Sequence, residues 1–83
     1  MSLVREFDLW VDFHRVDASG LTHADVRDSA PDVVVERGGF VVVGDHDADP
    51  GVAQVVDVRP DGVVLLRVLP GHAELHRSLV TRT

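Results

Sequence analysis

The chain of 83 residues contains no cysteine. Disulfide bonds, thiolate catalysis and cysteine-ligated zinc are therefore excluded. Lysine, asparagine, isoleucine and tyrosine are also missing, and all eight basic residues are arginine. Because AT-rich codons encode the four missing types, the composition predicts a very GC-rich bacterial genome, of the actinobacterial kind. The use of arginine in place of lysine then reflects mutational bias and is not evidence of phosphate binding.

Long apolar runs and basic clusters are also missing. No run approaches the roughly 20 residues that a membrane helix needs, and the start, MSLVREFDLW, has no basic region followed by an apolar one. We therefore expect a cytoplasmic protein that does not contact membranes. The net charge is −6 and the eight arginines are scattered singly. Direct binding of nucleic acid is disfavoured, because it needs a basic surface.

Hydrophobic residues make up 45% of the chain, too many for a disordered protein. The length predicts one domain, residues 1–83. A chain of this size buries only about 60% of its unfolded surface. We therefore expect modest stability unless a partner adds to the core.

The N-terminal part has the pattern of a hairpin. Residues 3–14, LVREFDLWVDFH, alternate with period two and predict a long half-buried strand, with Trp10, Asp12 and His14 on its polar face. DASG, residues 17–20, has turn chemistry. LTHADVRD, residues 21–28, then reads as the returning strand.

The rest of the chain alternates valine-rich runs with turns. Val33–Val35 reads as a short strand or an extended approach, followed by a turn at residues 36–39. Further strands are predicted at Phe40–Val43, Val52–Val58 and Val63–Leu69, because β-branched runs favour sheet. RPDG, residues 59–62, is a turn between the last two strands.

HAELHRSLV, residues 72–80, predicts a short C-terminal helix in which Leu75 and Leu79 face one way. Five or six short strands in so short a chain predict an all-β fold. We expect a small barrel or a strongly curved antiparallel sheet, with the short helix at its end.

The segment from Phe40 to Leu69 resembles the SH3-like barrels, including KOW-type modules. The resemblance lies in FVVVGD, a loop, GVAQVVDV, the turn RPDG and VVLLRVLPG, and it covers about a third of the chain. It implies a small barrel. KOW-type modules typically contact ribosomal RNA or RNA polymerase through basic loops, whereas the corresponding loop here is acidic.

Two patterns raise the possibility of a metal site. Asp45, Asp47 and Asp49 are spaced two apart, as in some calcium loops, but Pro50 replaces the glycine such loops need and Val56 replaces the final carboxylate. A solvated loop between strands is the favoured interpretation, and a weak site for a hard cation is the alternative.

The second pattern is His72 with His76, four positions apart on the predicted helix. That spacing suits zinc, yet no third ligand accompanies the pair. We expect no cofactor. We also expect no enzymatic activity, because no nucleophile lies in a known motif and the chain is small for a pocket of about 300 Å³.

Trp10 is the only tryptophan and falls among acidic residues. Either the C-terminal helix covers it through Leu75 or Leu79, or it anchors a partner, as aromatic residues do at binding hot spots. Under the second interpretation, Trp10, Asp12 and His14 form the contact face.

VVLL, residues 63–66, and VVV, residues 41–43, place apolar side chains on both faces of the sheet. Self-association would bury such a surface. The sequence therefore predicts a non-enzymatic interaction module that binds a protein partner or itself as a homodimer. The alternative is a small metal-binding or sensor protein using Asp45, Asp47 and Asp49 or the histidine pair. A weaker third idea is an acidic mimic of nucleic acid.

Overall fold

The structure is a computed structural model that describes residues 7–45, 50–71 and 73–80. These residues form one five-stranded sheet in the order β1-β3-β4-β5-β2. The strands are β1 (Leu9–Trp10), β2 (Thr22–Asp25), β3 (Phe40–Gly44), β4 (Gly51–Val58) and β5 (Val63–Val68). A 3₁₀ turn, Val26–Asp28, follows β2.

Strands β3, β4 and β5 form an antiparallel meander, which confirms the three predicted central strands. The turn between β4 and β5 has a hydrogen bond from Gly62 N to Arg59 O of 3.0 Å. Gly62 has φ +92°, a conformation that side-chain-bearing residues rarely adopt. Between Val55 and Asp57 the register shifts by one residue, and such a bulge bends a strand and increases its twist.

Strand β1 runs parallel to β3. Asp8 N donates to Val42 O over 2.7 Å, and Val11 N donates to Gly44 O over 3.0 Å. The Asp8 carboxylate also accepts a hydrogen bond from Val42 N at 3.0 Å. Asp8 is only 3% exposed, so a buried carboxyl side chain holds the short strand in place from inside the protein.

The sheet curls into a nearly closed barrel. Strand β2 pairs antiparallel with β5 at one side of the sheet, and the chain that follows β2 returns to β1. There Leu9 forms a bridge with Ser29, and Ala30 N donates to Asp8 O over 2.8 Å. Strand β1 thus lies between β3 and the segment after β2, which joins the two sides of the sheet.

The core fills the barrel with aliphatic side chains from all five strands and from Val11. Its buried members are Leu9, Val11, Ala24, Val41, Val43, Ala53, Val55, Val64 and Leu66. Val52 and Leu65, next to core residues in sequence, are buried as well. At these positions the apolar runs of β4 and β5 are therefore covered on both faces within one chain.

The predicted N-terminal hairpin is wrong in its length and its pairing. The long strand over residues 3–14 reduces to β1 within the described residues, and β1 pairs with β3. A turn stops it: Arg15 N donates to Asp12 O, and His14 N donates to the Asp12 carboxylate. Only a miniature hairpin remains around DASG, closed by the bridge between Val16 and Thr22. Val33–Val35 forms no strand.

The predicted C-terminal helix is not seen. Residues Ala73–His76 form a single α-helical turn (α1), and Arg77–Leu79 continue as a 3₁₀ turn. An isolated helix of this length is marginal unless an apolar face packs, and Leu75 is 72% exposed. In the part of the chain described here, no helix has the length and apolar character needed to cross a membrane.

Candidate functional site

An open groove on the barrel surface is the strongest candidate site. Its volume is about 420 Å³. Val41 and Val55 form its floor, and both are buried core residues. Phe40, half-buried, and Leu79, 42% exposed, line its sides. The groove therefore connects solvent directly with the apolar interior of the barrel.

The rim of the groove contains the most exposed large apolar side chain among the described residues. Val34 is 78% exposed, and Glu36 next to it on the rim is also exposed. Burial of such an apolar side chain would contribute roughly 1.5–3 kcal/mol of free energy, which the exposed position does not provide. Exposed apolar side chains grouped beside a concavity are typical of binding surfaces.

A tight turn holds the rim against β4. Gly38 N donates to Val55 O and Val55 N donates to Gly39 O, each over 2.8 Å. Gly39 N donates to Glu36 O over 3.1 Å and closes the turn. Gly38 has φ +89°, so glycine is the residue that fits there. The predicted turn at residues 36–39 is confirmed, and the backbone bonds fix the rim relative to the core.

The contact face predicted from the sequence lies on another part of the surface. The structure brings Asp12 and His14 together: Asp12 Oδ1 accepts from His14 N at 2.9 Å and lies 3.2 Å from His14 Nδ1. The backbone N–H of His14 is the main reason that the pKa of Asp12 falls below its usual value. The His14 side chain is 97% exposed. Trp10 is half-buried, and its indole nitrogen is in the interior.

The C-terminal leucines, proposed as a cover for Trp10, have other neighbours that the structure describes. The Leu75 side chain lies so close to Gly71 that a Cβ on that glycine would be 2.7 Å from Leu75 Cδ1. Leu79 lines the groove beside β4. The choice between a covered Trp10 and a partner-binding Trp10 stays a prediction.

A second pair of polar side chains was not predicted. His23 Nε2 donates to Asp17 Oδ2 over 2.9 Å, and both side chains are about a third exposed. Asp17 Oδ1 also accepts from Ser19 N and Leu21 N. These bonds, that from His23 first, lower the pKa of Asp17. The DASG turn followed by a histidine was the available signal, and the pair closes the miniature hairpin.

The residues of the two alternative metal sites are only partly described. Asp45 is half-buried, whereas Asp47, Asp49 and His72 lie outside the described residues. His76 uses Nε2 to donate to Pro70 O over 2.6 Å, so a metal at His76 would need its Nδ1. Among the residues that are described, no three His, Asp or Glu side chains are grouped as metal ligands. Both metal hypotheses stay predictions.

The groove has few ionisable groups among the residues that the structure describes. Of its described lining residues, Glu36 alone is ionisable. General acid–base chemistry usually combines a carboxylate with a second titratable group or a nucleophile. The volume of the groove exceeds about 300 Å³, the pocket size that we expected a chain this small to form with difficulty. Size therefore does not exclude a ligand. Comparison with protein-family models, with curated proteins and with solved structures finds no match to this chain.

Proposed function

We propose that this protein is a non-enzymatic interaction module of the SH3-like small-barrel type, which binds a protein partner through the groove. The observation that supports the proposal most is the position of Val34, 78% exposed, on the rim of a groove with a floor of core residues. The partner is either another protein or a second copy of the chain, and the two cases are separable by experiment.

The SH3-like assignment draws support from the meander β3-β4-β5, which coincides with the resembling segment from Phe40 to Leu69. A role in binding nucleic acid draws none, because the chain carries a net charge of −6. A curled sheet with a rigid groove is a suitable scaffold for recognition, since pre-formed sites avoid the free-energy cost of ordering on binding.

The experiment is a selection of phage-displayed random peptides on the immobilised protein, followed by binding measurements on a pair of matched variants. Val34→Lys puts a charge on the groove rim. Val16→Lys makes the same change at a valine that is 50% exposed and outside the groove lining. Both should fold normally, since exposed substitutions usually change stability by only about 0.5 kcal/mol.

We expect enriched peptides to lose affinity for Val34→Lys and to keep it for Val16→Lys. Peptides that bind both variants equally well, or a selection without enrichment, would contradict a binding role for the groove. Sedimentation of the wild type over a range of concentrations distinguishes the partner: a dimer that Val34→Lys dissociates identifies a second copy.

The face of Trp10, Asp12 and His14 is retained as a second proposed contact surface. The Asp12–His14 pair supports it, because the pair is exposed and the rims of interfaces are polar and solvent-accessible. Asp12→Ala and His14→Ala belong in the same binding assay. Unchanged affinity in both variants would remove this face from the proposal.

A further inference from the structure

The rim segment Val33–Glu36 has the burial pattern of a strand. Val33 and Val35 are half-buried and pack against the core, whereas Val34 and Glu36 point to solvent. This period of two is the period of extended chain, in which successive side chains point to opposite faces. The segment is therefore attached to the barrel by one face and presents the other.

The backbone of this segment makes few hydrogen bonds with the residues that the structure describes. Val33 N donates to Ala30 O over 3.0 Å, and Glu36 O accepts from Gly39 N. Within the described part of the chain, the N–H groups of residues 34–36 and the carbonyls of residues 33–35 make no backbone hydrogen bonds. Extended backbone with free donors and acceptors is a template for another strand.

The surroundings of the segment define what such a strand must carry. Its free backbone supplies sequence-independent affinity, and the groove beside it receives alternate side chains, the arrangement used when a peptide adds a strand to a protein. Val34 favours an apolar residue opposite it. Glu36, two positions after Val34, is an exposed carboxylate and favours a basic residue opposite it.

The geometry points to the kind of partner: an extended segment of another protein, with an apolar residue and a basic residue two positions from it, which pairs with Val33–Glu36 as an added strand. This inference rests on the proposed function and names its partner. An acidic chain and a basic partner also attract one another over a distance, which accelerates association.

A second copy of the chain fits this edge less well. Antiparallel pairing of two copies about a two-fold axis at Val34 would place Asp32 of each copy opposite Glu36 of the other. Like charges directly opposite each other destabilise a strand pair. Each copy also carries a net charge of −6, which opposes association further.

The test uses the fluorescein-labelled peptide TRTVTRT, whose binding to the full chain is measured by fluorescence anisotropy. The charge-reversed peptide TETVTET is expected to bind at least about tenfold more weakly, since each opposed charge pair changes the affinity by a factor of a few. Val34→Lys is expected to weaken TRTVTRT similarly. Val16→Lys should leave its affinity within about twofold of wild type.

Two N-methylated peptides test the backbone pairing itself. One carries N-methyl groups on the valine and both arginines, and the other carries them on the two threonines beside the valine. Only alternate N–H groups of a strand point towards its partner. We therefore expect one of these peptides to lose binding and the other to keep it. Equal behaviour of the two would overturn strand addition.

Failure of this inference and failure of the proposed function give different results. If selected peptides depend on Val34 but TRTVTRT does not bind, the groove binds proteins and the basic extended partner is wrong. If the wild type forms a dimer that Val34→Lys dissociates, a second copy is the occupant and the inference is overturned. If neither selected peptides nor TRTVTRT bind, both proposals fail.

Discussion

Replacing Asp8 by alanine should destabilise the barrel far more than replacing an average surface aspartate. Asp8 is buried, and its carboxylate accepts the N–H of Val42 at 3.0 Å, 34 positions along the chain. Asp8→Ala leaves that N–H without its acceptor at a site that water reaches poorly. The backbone bonds of Asp8 to Val42 and Ala30 can persist, so the variant removes the contribution of the side chain.

Val42 is half-buried, and its N–H donates to the carboxylate of the buried Asp8. Leaving such a donor unsatisfied costs about 1–3 kcal/mol. For a domain of this size, 1 kcal/mol corresponds to roughly 4–8 °C in the midpoint of thermal unfolding. We therefore expect the midpoint to fall by at least about 4 °C, and by more than 10 °C at the upper end.

Asp61→Ala is the matched control. The Asp61 carboxylate accepts the N–H of Val63 at 3.1 Å, the same chemistry on an exposed side chain. Water can replace it, so the loss should stay within about 0.5 kcal/mol. Urea unfolding monitored by circular dichroism gives both values, and hydrogen exchange at the Val42 amide should accelerate in Asp8→Ala. Equal losses in the two variants would refute the view that Asp8 anchors β1 through its side chain.

Three further predictions concern local geometry and pH. In Gly44→Ala the new Cβ would lie 2.7 Å from Phe7 Cδ1, so we expect the free energy of unfolding to fall by about 1–3 kcal/mol. A double-mutant cycle with Phe7→Leu should show that the two changes are not additive. Gly62 has φ +92°, so Gly62→Ala should lower the free energy of unfolding by about 1 kcal/mol or more. Gly51→Ala should lower it less, because its new Cβ would meet its nearest neighbour at an ordinary 3.8 Å. Denaturant unfolding midpoints compare the two variants. Folding lowers the pKa of Asp17 from its usual 3.8, so ionised Asp17 stabilises the protein above that pH, and this contribution disappears as pH falls through the lowered pKa. The stabilities of wild type and Asp17→Asn should therefore converge in acid. A stability difference that widens in acid would contradict this sign.

The meander was predictable because its signals are local. Valine-rich runs mark β3, β4 and β5, and the turn at residues 59–62 combines Pro60 with a glycine in the left-handed region. Neither feature needs knowledge of distant residues. The three strands, including the one that begins at Phe40, and the turn are present in the structure as predicted.

The N-terminal part was not predictable by the same reasoning. Period-two alternation continues to His14, but the Asp12 carboxylate accepts the His14 N–H and turns the chain. Side chains of this type compete locally with strand formation. The partner of β1 is also distant and parallel, and a hydrophobic pattern cannot specify it. Alternation correctly assigned Leu9 and Val11 to the core but left Asp8 on a polar face, although it is buried.

The C-terminal helix failed for an energetic reason. Two leucines four apart suggest an amphipathic stripe, but Leu75 packs on Gly71 and stays largely exposed, so little burial supports a longer helix. The groove was not foreseeable either. It combines Val34, Val55 and Leu79 from three separate segments, and only the folded chain brings them together.

The parallel placement of β1 has a consequence for the order of folding. Each hairpin of the meander joins neighbouring segments and can form early, whereas Leu9 must find Val43, 34 positions away. Pairings between distant residues pay a larger loop-closure entropy and slow the folding reaction. We therefore expect the meander to act as the nucleus and β1 to dock last. During synthesis β1 would leave the ribosome before the meander and yet dock after it.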